Sequence, residues 1–130
     1  MSGAEPSERS ARVAERIRQV LMELLLRGEV RDPIAASLSI THVRISPDLR
    51  HARVYLRLLS LDSATGDSPK MAVAALKRAA GFLRRRIGQE VRLKYTPTLE
   101  FFWDEQVDEA TRMERLLAEV RKDEGWEPQS

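Results

Sequence analysis

The sequence predicts an α+β fold in which helices cover one face of a three-stranded sheet. Three observations predict it. Apolar residues recur at three- and four-residue steps through the first 25 residues, two neighbouring segments around residues 38–58 carry β-branched runs and alternation, and a second helical block leads into one more strand. At 130 residues the chain suits one domain with a single modest core. Its organisation reads as a polar lead over residues 1–8, a body over 9–104 and an acidic helical extension over 105–130 whose end, from about Asp123, lacks an apolar period.

In the first helix Val13, Ile17, Val20, Leu21, Leu24 and Leu25 form the apolar face, Ser7 or Ser10 suits the cap, and Gly28 is placed to end it. Arg9, Arg12 and Arg16 run along one edge as a basic stripe, which reads equally as a solvated flank pairing with Glu8 and Glu15. "LSITHVRI", Leu38–Ile45, then alternates in part, and "SPDLR" supplies the proline and aspartate of a turn. "HARVYLRL" alternates cleanly, so Ala52, Val54, Leu56 and Leu58 face the core. His51, Arg53, Tyr55 and Arg57 face the other way, on a surface that reads as solvated or as RNA-contacting.

After a polar loop, Pro69 suits the first turn of a helix that runs to about Gly88. "VRLKYTPTLEFFWDE" has strand character at Val91–Tyr95 and again at Leu99–Trp103; Pro97 breaks the run, leaving one main strand near residues 98–103. Ala110, Met113, Leu116, Leu117 and Val120 then return to helical spacing.

The net charge of +2 conceals a division along the chain. Residues 1–99 hold 18 Lys+Arg against 10 Asp+Glu, a net +8, whereas residues 100–130 hold 4 against 10, a net −6. A basic body fits a polyanionic partner such as nucleic acid. With no cysteine, disulfides, thiolate metal sites and a cysteine nucleophile are excluded. His42 and His51 lack acidic neighbours that would complete a metal site, the six glycines form no phosphate-cradling loop, and no nucleophile-elbow pattern occurs. No metal, cofactor or catalytic residue is expected. The start lacks a secretory pattern and no apolar run approaches the ~20 residues of a membrane span, so a cytoplasmic protein without membrane contact is expected.

One stretch resists a bland reading. Residues 70–94 hold eight Lys+Arg and a single acid, Glu90, and within them "LKRAAGFLRRRIG" places Gly81 inside a continuous helical period. A mid-helix glycine costs about 1 kcal/mol relative to alanine. Three explanations suit it: a bend between two helix segments, close approach of a nucleic-acid backbone, or close packing of the helix over the sheet. Lys77, Arg78, Arg84, Arg85, Arg86, Arg92 and Lys94 bracket the position and would favour an RNA backbone at such a bend.

The stretches "RVAERIRQVLMELLLRGEVRDP", "VRISPDLRHARVYLRL", "LKRAAGFLRRRIG" and "RLKYTPTLEFFWD", in this order, resemble the bacterial ribosome-binding factor A family over about residues 9–120. The resemblance implies a type II KH-like domain of order α-β-β-α-kink-α-β, in which the Ala-x-Gly step, here Ala79–Ala80–Gly81, replaces the Gly-x-x-Gly loop of ordinary KH domains. It further implies a noncatalytic assembly factor, monomeric when free. Its partner would be the small ribosomal subunit and its ribosomal RNA during late maturation and pre-rRNA processing, with a link to growth in the cold. On that basis Ala79 and Gly81 carry over as RNA-binding residues, with the surrounding cations following by position and charge. A rival reading makes the chain a protein-interaction module whose acidic C-terminal helix takes a basic partner.

Overall fold

A computed structural model describes residues 8–59, 68–105, 113, 116–118 and 120. Helix α1 (Glu8–Leu26) precedes a short 3-10 turn (Ala35–Ser37), strands β1 (Leu38–Ile45) and β2 (His51–Leu58), helices α2 (Ser68–Arg78) and α3 (Ala80–Glu90), and strand β3 (Thr98–Trp103). This is the α+β order expected, with a three-stranded sheet.

Helix α1 buries Ala14, Ile17, Val20, Leu21, Leu24 and Leu25. Its end is set by Gly28, at φ +70°, where the Gly28 N–H donates to the Leu25 carbonyl and the Glu29 N–H to that of Leu24. These two bonds satisfy carbonyls that the helix would leave orphaned, and the left-handed backbone they need suits a residue without Cβ. Ser10 lies within the helix and is buried, so it is not the cap.

The hairpin joining β1 to β2 is closed by Asp48, which accepts from the Ser46 hydroxyl (2.6 Å) and the Arg50 N–H (3.0 Å). Those bonds hold its carboxyl below the usual range, the Ser46 hydroxyl contributing most. The register is broken by one residue between Ile40 and His42, so Thr41 is a bulge. That extra residue explains why β1 alternates only in part: Leu38 and Ile40 face the core before it, Val43 and Ile45 after it.

Strand β2 is central in the order β1-β2-β3; β1 pairs with it antiparallel and β3 parallel. A parallel partner needs a long crossover, and α2 with α3 supplies it. Ala72 and Leu76 of α2 and Leu83 and Ile87 of α3 pack with α1 over Ala52, Val54, Leu56, Leu99 and Phe101. The opposite sheet face is left without a helix among the described residues.

Val91–Tyr95 forms no strand, in keeping with one main strand near residues 98–103, and the Thr96 and Pro97 carbonyls that follow it accept from the Arg84 guanidinium at 2.9 and 3.1 Å. One expectation changes. Arg57, expected on the open face, is 5% exposed, lying over the Trp103 ring and donating to the Asp104 carbonyl. Of the C-terminal extension, Met113, Leu116–Ala118 and Val120 are helical, and the large apolar side chains among them are about half exposed, so the domain does not bury that face. Expectations for residues from 121 on lie outside the described residues.

Candidate nucleic-acid interface

The helical period through Gly81 is continuous, yet the helix breaks at Ala79. That residue adopts φ −89°, ψ 0°, and its N–H is shared between the Ala75 (3.3 Å) and Leu76 (3.1 Å) carbonyls. The bend thus falls on the first residue of the Ala-x-Gly step, two positions before the glycine. Gly81 sits in the first turn of α3. It is exposed, its φ is negative, and a Cβ built on it meets only the far end of Arg85 at 3.7 Å. Neither the bend nor internal packing therefore calls for glycine here. Gly88 differs, because a Cβ there would stand 2.9 Å from the Thr96 hydroxyl, where α3 crosses the segment leading to β3.

No side chain caps the start of α3. An uncapped helix start presents unpaired N–H donors and partial positive charge, and cations on either side add to it. Beside the bend lies an open cleft of about 660 Å³, walled by Ala75, Arg78, Ala79 and Phe82 on one side and by the Gly28–Asp32 segment on the other.

The predicted cations divide into two groups. Arg78 donates to Asp32 at 2.7 Å across the cleft, and Arg86 pairs with Glu29, its guanidinium also lying over the Phe82 ring. Arg84 is held by the two loop carbonyls already described. These three arginines bind the fold together. The Asp32 carboxyl is held below its ordinary range by Arg78 first and by the Ile34 N–H second. Lys77, Arg85 and Arg92, by contrast, are exposed and have no partner among the described residues, while Lys94 lies over the Tyr95 ring. In the α1 stripe Arg9 is free in the same sense, Arg12 pairs with Glu8, and Arg16 reaches Glu90 of α3 at 3.5 Å. Glu15, expected to serve the stripe, pairs with Arg18 instead.

Glu29 and Asp32 were not among the candidate residues, although "GEVRDP" carries both in a loop directly after the helix-ending glycine. Among the described residues no group of His, Asp or Glu could hold a metal ion, and no helix is long and apolar enough to cross a membrane.

The family model described as ribosome-binding factor A matches residues 9–117. The chain belongs to the ribosome-binding factor A family. A family member from Hyphomonas neptunium is 44% identical over 118 residues, covering 89% of this chain and 86% of its own. A Thermotoga maritima protein with the same family description, solved by NMR, superposes with a TM-score of 0.63 at 31% identity, covering 77% of this chain and 91% of that one. A homology model of the Thermus thermophilus factor, as fitted into a cryo-EM map of a 30S complex of that factor, gives a TM-score of 0.55 at 25% identity, over 71% of this chain and 91% of that one.

Proposed function

We propose that this chain binds the small ribosomal subunit as a noncatalytic factor of late maturation and pre-rRNA processing, active in the cytoplasm and in adaptation to cold. In this reading residues 9–104 form the RNA-binding unit, and ribosomal RNA docks on the bend between α2 and α3. The observation that carries it is Gly81: the fold makes no demand for glycine there, and the position stands open at an uncapped helix start between free cations. An RNA backbone drawn against that start would meet the N–H donors of α3, with Lys77 and Arg85 supplying phosphate contacts and Arg92 and Lys94 extending the surface. Arg78, Arg84 and Arg86 act mainly by fixing the geometry of the bend. The Thermus factor's complex with the 30S subunit supports the choice of partner.

Cosedimentation with purified small subunits at rising salt tests this. Lys77→Glu combined with Arg85→Glu should abolish association while the circular dichroism spectrum stays intact. Association of that variant at wild-type strength would refute the assignment.

The half-exposed Met113, Leu116, Leu117 and Val120 favour one further reading, in which the acidic extension docks on a protein through its apolar face. Deleting residues 107–130 would then remove a protein contact without altering RNA binding by the domain.

A further inference from the structure

The sheet face turned away from the helices carries an ordered row of rings. His42, Tyr55 and Phe102 occupy one register position on β1, β2 and β3. Their ring centroids lie 5.8 Å apart for His42 and Tyr55 and 5.6 Å apart for Tyr55 and Phe102, the latter pair nearly parallel at 29°. His42 is exposed, Tyr55 half-buried and Phe102 37% exposed. The Thr41 bulge makes the row possible, since with Thr41 paired in regular register His42 would lie opposite Val54 on the core side.

The next row on the same face, two residues along each strand, holds Arg44, Arg53 and Glu100. Like charges directly opposite each other on a sheet are destabilising, yet Arg44 and Arg53 are paired in register, and neither makes an ion pair among the described residues. The Arg44 Nε donates to His42 Nε2 at 3.0 Å, which ties the two rows together. Glu100 offsets one cation only. An anion lying between the guanidiniums would relieve their repulsion, while flat apolar groups one row away would cover the rings. A phosphate and its base carry these two chemistries on one chain.

We propose that this open sheet face is a second RNA surface, taking single-stranded RNA with bases stacked on Tyr55 and Phe102 and phosphate on Arg44 and Arg53. Single-stranded RNA is the occupant that fits because only unpaired bases present free faces to a side-chain ring. A duplex buries them. The inference goes beyond the contact at the bend and shares none of its residues.

A labelled twelve-nucleotide oligouridine and a duplex RNA of equal length, read by fluorescence anisotropy with the full chain, test it. Wild type should prefer the single strand, and Tyr55→Leu or Phe102→Leu should weaken that binding by about tenfold each, the range of base–ring stacking. Lys77→Glu with Arg85→Glu should leave the tenfold effect of the ring variants in place while removing subunit cosedimentation. Equal affinity for duplex and single strand overturns the proposal, as does ring-variant binding at wild-type strength. If the kink variant retains the subunit while the ring variants lose the oligouridine, the bend reading fails and this one stands. Should a ring variant not fold, ultraviolet crosslinking of wild type to the oligouridine decides: adducts in residues 51–57 or 98–103 support the surface, and adducts confined elsewhere overturn it.

Discussion

Replacing Gly81 by alanine separates what the fold needs from what a partner needs. Position 81 is the second residue of α3, with ordinary helical φ, and the added methyl would meet only the Arg85 guanidinium at 3.7 Å, an ordinary contact that a flexible side chain accommodates. The fold should therefore gain. A helix-interior Gly→Ala change is worth about 1 kcal/mol, and roughly half of that is a fair share in the first turn. For a domain of this size, half a kcal/mol raises the melting temperature by about 2–4 °C. Against a closely apposed RNA backbone the same methyl is overpacking, which costs about 1–3 kcal/mol, or roughly 5- to 150-fold in affinity. The bend itself, set at Ala79, should survive. Differential scanning calorimetry of the free chain and cosedimentation with small subunits measure the two effects independently. A raised melting temperature with unchanged subunit affinity would show that no partner backbone approaches the glycine, and a lowered melting temperature would mean that α3 has a need for glycine which its geometry does not reveal.

Gly88→Ala should destabilise the domain by about 1–2 kcal/mol by forcing Thr96 aside; Thr96→Ala in the same chain should recover most of the loss in urea unfolding, and no recovery would mean the strain lies elsewhere. Arg86→Ala leaves Glu29 unpaired at a site where both side chains are about three-quarters covered, so about 1 kcal/mol should be lost. Adding Glu29→Ala should then cost less than the sum of the single changes. Acid sensitivity follows from Asp32, whose carboxyl is depressed in the folded state by Arg78 and the Ile34 N–H. Its contribution is complete above the unfolded carboxylate value of about 3.9 and is lost as pH falls through the lower folded value. Denaturation midpoints between pH 5 and pH 2 should accordingly fall more steeply in wild type than in Asp32→Asn, and parallel curves would remove Asp32 from the acid response.

Local chemistry was readable along most of the chain. The period of α1, the clean alternation of β2 and the break at Pro97 each follow from residue type, and β3 begins one residue beyond that proline. What could not be read depends on residues far apart in sequence. Arg84, Arg85 and Arg86 look alike in the sequence, yet one is bound to carbonyls 12 and 13 residues away, one faces outward, and one crosses to an acid 57 residues earlier. Exchanging all three for glutamate would therefore disturb folding as well as charge. Val91–Tyr95 has strand propensity, but propensity yields where no strand partner is offered. Arg57 shows the converse: alternation placed it outside, and Trp103 with Asp104 covers it.

The parallel pairing of β3 beside β2 also sets an order in time. As a chain emerges from its N-terminus, α1 and the β1–β2 hairpin have their partners at once, whereas Arg84 waits for the carbonyls of Thr96 and Pro97, and Val54 for Phe101. The bend at Ala79 can form early, but α3 is anchored only after the last strand has left the exit tunnel and closed a loop of more than 40 residues onto His51–Leu56. A nascent chain thus carries the free cations of α2 and α3 before it carries the rigid surface that orients them, and high-affinity docking should begin only on completion of β3.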